Sequence, residues 1–367
     1  MSRSGIIAVL LPLIIPLKMY ALDQQSYSEK KQHTSRIFQT GVEKTATFKI
    51  TSKRIYENSD ISAVAAVDSN HGVLGADEGN YAQLCLISRT DKTITITDPV
   101  KSLVKLLPRP ADSEVDIEGI AVIDATCYVT GSHGLAKRSG EFQRSRHNCF
   151  RFKIDPETGN KVGNVQTSTL RDVLQKNPVL SPYYNKILQQ RGVNIESLAA
   201  KNKMLYFGLR SPNLNGNAFV IEISPKELFE SRIDKKYRLH IVRVGNGLGI
   251  REMASVENGF LIITGNAGSE PGNSRTPDTE TDVKDWDPSM PYYIFFWDGA
   301  EKAEKIGKIP RQDKNHKAEA MLVLEETPFK IEVLVLFDGP EGGSPTIYEI
   351  KKSIHKFHKN DYSYFPP

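Results

Sequence analysis

An all-β propeller, most simply of five four-stranded blades with a sixth divergent blade as the alternative, is the fold class this sequence predicts. Three observations predict it. One short motif recurs five times along the chain, and each copy is followed by further strand-like runs. The last copy runs out of chain before its fourth strand, while a spare strand stands ahead of the first copy.

The motif copies begin Asp60-Ile-Ser-Ala-Val-Ala65, Asp116-Ile-Glu-Gly-Ile-Ala121, Asn194-Ile-Glu-Ser-Leu-Ala199, Ile250-Arg-Glu-Met-Ala254 and Lys317-Ala-Glu-Ala-Met321. Second apolar strands follow after a short turn and end at Ala76-Asp77-Glu78, Ser132-His133-Gly134, Arg210-Ser211-Pro212, Asn266-Ala267-Gly268 and Asp338-Gly339-Pro340. Third strands alternate with period two over Gln83–Ser88, Cys149–Ile154, Ala218–Ile223, Tyr292–Trp297 and Thr346–Ile350. Fourth strands are read at Thr93–Thr97, Val162–Gln166, Tyr237–Val242 and Ala303–Ile309. The segment Ala46–Thr51 is expected to supply the fourth strand of the last unit and so leave no open edge. Two insertions read as short helices, Thr169–Gln190 with a proline break and Pro225–Ile233 capped by Ser224. A β-sandwich does not explain a motif that recurs at blade-like spacing. A single unit would expose its apolar faces, so the units must stack.

Residues 1–21 read as a signal peptide: Arg3 gives a positive start, Ile6–Leu17 is apolar, and Ala21 precedes the cleavage point. The apolar run is shorter than the ~20 residues a membrane span needs. The expected division is a leader over 22–40 that packs nothing, one propeller over 41–355, and a tail over 356–367. The implied location is periplasmic or secreted, with no stable membrane anchor. A formal net charge of +4, with bases interleaved among acids, predicts no nucleic-acid partner. Three cysteines, Cys85, Cys127 and Cys149, make no disulfide framework; one Cys127–Cys149 bridge and buried free thiols are both open.

In each hairpin of first and second strands, the start of one lies beside the end of the other. Paired polar residues are therefore expected at one channel mouth: Glu118 with His133, Glu196 with Arg210, Glu252 with Asn266, Glu319 with Asp338, and Ser62 with Asp77. Together with Arg251 these make the expected ligand-binding set, with His133 and Arg210 as catalytic candidates. Long loops gather on the same face, Gly134–His147 with Lys137, Arg138, Arg144 and Arg146, and Gly265–Pro291 with Asp278, Glu280, Asp282, Asp285 and Asp287. No Ser-His-Asp or Cys-His spacing supports nucleophilic catalysis, and the acidic loop lacks the spacing of a calcium hand. Trp297 reads as core, and Trp286 as a loop residue able to stack on a ligand.

The runs DIEGIAVIDATCYVTGSHGLAKRSGE, NIESLAAKNKMLYFGLRSP, GLGIREMA and KAEAMLVL resemble an uncharacterised bacterial family described only as a domain of unknown function, over about Asp60 to Asp338. That resemblance implies a propeller and no activity. More distantly, the Glu-Gly-Ile-Ala motif is similar to the inner-strand motif of phytase-like and lactonase-like propellers. It implies that Glu118 and Glu196, then Glu252 and Glu319, hold a divalent cation, commonly Ca²⁺, as the one candidate cofactor. Arg210, Arg251 and His133 among these acids depart from that pattern.

Three functions remain at this level. The first is binding of a small polar or anionic ligand outside the cytoplasm. The second is a divalent-metal-dependent hydrolase of phosphoester or lactone type. The third is a scaffold for a protein partner of unspecified identity. Whether the chain is an enzyme is left open, because fold alone does not choose among them.

Overall fold

The computed structural model describes residues 37–50, 55–107 and 114–353, apart from positions 138, 232, 271–284, 301, 311–312 and 314. The expected signal peptide, most of the leader and the tail lie outside these residues.

Strands β1 (Glu43–Thr47) and β2 (Lys49–Ile50) precede five sheets. The first sheet holds β3 (Ile61–Ala66), β4 (His71–Ala76), β5 (Tyr81–Ser88) and β6 (Thr93–Thr95), extended by β2 along β6 and by β7 (Leu103–Lys105) along β5. The second holds β8 (Ile117–Ile123), β9 (Thr126–Gly131), β10 (Cys149–Ile154) and β11 (Lys161–Ser168). The third holds β12 (Asn194–Lys201), β13 (Met204–Leu214), β14 (Asn217–Ile223) and β15 (Tyr237–Arg243). The fourth holds β16 (Leu248–Val256), β17 (Gly259–Asn266), β18 (Tyr293–Trp297) and β19 (Glu304–Lys308). The fifth holds β20 (Lys317–Glu326), β21 (Lys330–Asp338) and β22 (Thr346–Lys351), and β1 completes it.

The first strands of the sheets touch in a closed ring, β3 to β8 to β12 to β16 to β20 and back to β3. This is a five-bladed propeller, and the N-terminal strand closes it as the sequence predicts. The closing strand is Glu43–Thr47 rather than a strand running to Thr51, because Lys49 and Ile50 turn away to pair in parallel with Thr93 and Ile94 of the first blade. Two neighbouring stretches thus stitch the last blade to the first.

Cores fill the spaces between adjacent blades. Ile263, Phe296, Met321 and Tyr348 belong to one such cluster, and Leu198, Leu209, Leu170 and Leu174 to another. Phe38 is buried against Phe296 with ring centroids 5.0 Å apart, which corrects the expectation that the leader to residue 40 packs nothing. The insertion after β11 becomes α1 (Arg171–Lys176) and two single turns, Ser181–Tyr183 and Leu188–Gln190. Helix α2 (Pro225–Glu230) is capped by Ser224, whose hydroxyl accepts from the Glu227 amide at 3.1 Å. All three cysteines are buried free thiols. Among the described residues no helix is long and apolar enough to cross a membrane.

Candidate functional site at the channel mouth

Each of the five innermost strands slips register by one residue near its start: at Ser62, Glu118, Glu196, Arg251 and Glu319. A bulge of this kind re-aims one side chain. Two positions further on, where alternation returns to the same face, stand Val64, Ile120, Leu198, Met253 and Met321, which line an opening at the other end of the channel. The channel therefore carries charged side chains at most strand starts and apolar side chains beyond.

This repeated bulge corrects the reading of the fourth motif. Its ring residue is Arg251, and Glu252 takes the place held elsewhere by Ala63, Gly119, Ser197 and Ala320. Glu252 is buried, accepts from the Met253 amide at 2.6 Å, and burial pushes its carboxyl well above the ordinary value. It does not pair with Asn266, which sits opposite Leu248 and bonds to Asp287 instead.

Arg251 ties three blades together. Its guanidinium meets Glu196 Oε2 at 2.9 Å and binds Glu319. Glu196 also receives Arg210 Nη1 at 2.7 Å, and Arg210 donates onward to the Asn266 and Gly268 carbonyls. Burial pushes Glu196 upward, yet Arg210 and Arg251 outweigh it and hold the carboxyl below its ordinary value. Of the expected pairs, Glu196–Arg210 forms as drawn.

Glu319 and Asp338 gather with Asp77, their carboxylate oxygens within 4.8 Å of one another. Lys317 binds Asp338. Asp77 Oδ1 is buried with no hydrogen-bond partner. Burial, with Asp338 and Asp116 nearby, pushes Asp77 up to about 8. Ser62 does not reach Asp77; its hydroxyl donates to the Ile117 carbonyl of the next blade.

Glu118 stands apart. It is 9% exposed and makes no hydrogen bond among the described residues. Burial, then the charges of Glu196, Asp116 and Asp77, push it well above the ordinary carboxylate value. It opens onto a narrow recess shared with Asp116, Gly134, Lys137, Arg146 and Asn194. Arg146 is committed there, to Asp116 at 2.8 Å and to Glu114.

His133 does not join Glu118. It is fully buried, its Nδ1 bonded to the Gly131 carbonyl at 3.0 Å and its Nε2 accepting from the Leu170 amide at 3.3 Å. Its ring lies edge-on to His147, centroids 5.8 Å apart, and His147 meets the Tyr184 hydroxyl at 3.3 Å. These histidines pin two loops to the blades. The loop of residues 134–147 carries Lys137 to the mouth, and the insertion reaches across to Asp285 through Arg191 at 2.7 Å. Asp278, Glu280 and Asp282 lie outside the described residues. Trp297 is fully buried and Trp286 partly so.

As a set, Glu118, Glu196, Glu252 and Glu319 do not fit a divalent ion. Glu196 is already saturated by two guanidinium groups, and Glu252 is off the ring. Asp116 and Asn194 are mouth residues that the sequence reading did not place in the site, whereas it put the loop of Lys137 on this face. Asp116 and Asn194 open their motif copies, immediately before the Ile-Glu pair, and that position was the available signal.

The fold and this mouth define a five-bladed propeller with a charged ring at one end of its channel. The chain belongs to the family described as "Protein of unknown function (DUF3616)", matched over residues 60–154 and 155–345. No curated protein matches it. Solved structures similar to it include a protein of unknown function from Dyadobacter fermentans, 11% identical, covering 86% of this chain and 100% of that one with a TM-score of 0.44. A protein of unknown function from Bacteroides thetaiotaomicron is 13% identical over 85% of this chain and 76% of that one, with a TM-score of 0.37. The virginiamycin B lyase of Staphylococcus aureus is 10% identical over 85% and 99%, with a TM-score of 0.35.

Proposed function

We propose that this chain is a binding propeller, exported from the cytoplasm, that takes a small polar ligand in the recess at its charged mouth. The observation that carries the reading is Glu118, buried at the recess wall with no hydrogen bond while its ring neighbours are tied to one another. Asn194 Oδ1, in the same recess, is buried with no partner, and a buried polar atom left unpaired costs ~1–3 kcal/mol, which a ligand that supplies donors returns. The other mouth groups favour binding over chemistry: His133 is buried beneath the loops, and Arg210 is fully engaged.

A screen of small polar compounds by thermal melting is expected to return ligands that raise the melting temperature by a few degrees, equivalent to ~2.7 kcal/mol at about a hundred times Kd. That shift should vanish in Glu118→Leu. Ligands that bind equally well to the variant would end the assignment to this recess. The apolar stretch Ile6–Leu17 supports export, and N-terminal sequencing of the mature protein should find a start near Leu22. A start at Met1 or Ser2 would refute it.

A second reading, the divalent-metal-dependent hydrolase, draws on the Asp77, Glu319 and Asp338 carboxylates rather than on the four glutamates. Lys317 and Arg251 already neutralise two of these three acids, which weighs against it. The same melts run on metal-stripped protein with Ca²⁺, Mg²⁺, Mn²⁺ or Zn²⁺ decide it. A shift lost in Asp77→Asn supports the metal, and no shift with any ion removes this reading.

A further inference from the structure

We infer that the ligand of the Glu118 recess is a small zwitterion, its primary ammonium group seated on Glu118 and Asn194 and its anionic group held at the rim by Lys137. This rests on the reading of the mouth as a binding site and gives that ligand its chemical class.

The polar groups of the recess divide into those already satisfied and those left over. Arg146 and Asp116 are bound to each other at 2.8 Å. Three groups are left. Glu118, 9% exposed, has no hydrogen bond among the described residues, and Asn194, 8% exposed, has a buried Oδ1 with no partner. Lys137, on the loop above, is exposed by surface area and makes no ion pair among the described residues; crowding of its ammonium and the charge of Arg210 hold it below its ordinary value, with Glu196 and Asp116 pulling the other way. The deep end of the recess thus presents two acceptors without donors and its rim one lysine without an ion pair.

Two oxygens in search of donors beside one unpaired carboxyl call for a monovalent cation that carries hydrogens. An ammonium group brings three N–H donors and one charge. A calcium ion would need about six to eight oxygens. The recess falls short of that number, since Asp116 is spent on Arg146, and the Arg146 guanidinium lines the same wall against a doubly charged ion. The walls are close as well. A Cβ placed on Gly134 would sit 3.2 Å from both Asn194 Nδ2 and the Val193 carbonyl, so the pocket admits a group the size of an ammonium and little more. The rest of the ligand must lie outward, toward Lys137, where a carboxylate or phosphate finds its counter-charge. Burial and the neighbouring acids push Glu118 well above the ordinary carboxylate value, so a fixed positive charge seated beside it should lower that value and favour release of a proton.

Isothermal titration calorimetry on the full chain tests this with glycine, β-alanine and γ-aminobutyrate, and with methylammonium, acetate, glycerol and Ca²⁺ as single-feature probes. At least one amino acid should bind at least about tenfold more tightly than methylammonium or acetate. Lys137→Met and Glu118→Gln should each weaken it by at least about tenfold. Gly134→Ala, which narrows the recess and alters no charge, should weaken it too. Binding should release protons over the pH range in which the empty recess keeps Glu118 protonated, seen as a dependence on buffer ionisation enthalpy that Glu118→Gln abolishes. Failure of all three amino acids, with glycerol or another neutral compound binding through Glu118, overturns the zwitterion and leaves the binding mouth in place. Preferential binding of Ca²⁺ does the same. If no compound binds in a Glu118-dependent way, both readings fall together.

Discussion

Arg251→Met is expected to destabilise the protein by about 3–5 kcal/mol, the range for removing one partner of a buried ion pair. Arg251 is 3% exposed and its guanidinium joins Glu196 of the third blade to Glu319 of the fifth. Without it Glu319 is left in the interior with no arginine, and Glu196 falls back on Arg210 alone. Arg251→Lys should recover only part of the loss, because a single ammonium cannot fork to both carboxylates. Glu252→Gln is the internal control. That side chain accepts from the Met253 amide and burial disfavours its charged form, so an amide of the same shape should change stability by less than ~1 kcal/mol. Urea denaturation of the three variants checks the ordering. A loss below ~1 kcal/mol for Arg251→Met, or a larger loss for Glu252→Gln, would remove Arg251 from the ring.

The same pair of neighbours shows what the sequence makes legible. The motif announces its blade through the apolar residues around it, and those survive any one-residue shift of the alignment. Five units, a hairpin in each, and closure by the N-terminal strand all follow from that pattern. Which residue of Ile250-Arg251-Glu252 faces the channel depends on the bulge, and the bulge is a property of strand pairing. Matching glutamate to glutamate put Glu252 on the ring. Counting from the preceding apolar residue, Ile61, Ile117, Ile195, Ile250 and Ala318, gives Arg251.

His133 and Asp77 fail and succeed for related reasons. Both end a second strand, so hairpin geometry sends both toward the mouth. At His133 the backbone enters the left-handed region, φ 54°, and the ring turns back beneath the loop to bond Gly131 and Leu170. Nothing local in Ser132-His133-Gly134 signals that turn. The ring's partner there, the Leu170 amide, comes from the distant insertion. Asn194 was hidden in the same way, and Lys137 was placed on the right face but not in a recess, since the recess they share exists only once two loops fold over the ring.

Stability should depend on pH through two opposed groups of buried residues. His133 and His147 are neutral in the fold, burial pushing them down to about 4 and, with His133 as neighbour, to about 3. Once unfolded they take up protons near 6.5, so the unfolded state binds more protons below that pH. Their contribution is complete above pH ~6.5 and is lost as pH falls, by ~3 kcal/mol for His133 at ~1.4 kcal/mol per unit. Below ~4.5 the protonation of Glu196, whose folded value is depressed, removes more. Asp77 and Glu118 act with the opposite sign. Asp77 reaches about 8 in the fold, so between ~4 and ~8 the folded chain holds the extra proton and stability declines as pH rises. The two slopes oppose each other between pH ~4 and ~6.5, and above ~6.5 only the acids remain, so the native protein should be most stable on the acid side of neutrality. The Asp77→Asn/Glu118→Gln double variant should keep the acid limb and stay level from pH 6.5 to 8, whereas His147→Phe, whose ring retains the stack on Phe142, should flatten the acid limb instead. Melting temperatures from pH 4 to 8 separate the two. A native protein that loses no stability between pH 6.5 and 8 would mean that Asp77 is not a strained acid of the mouth.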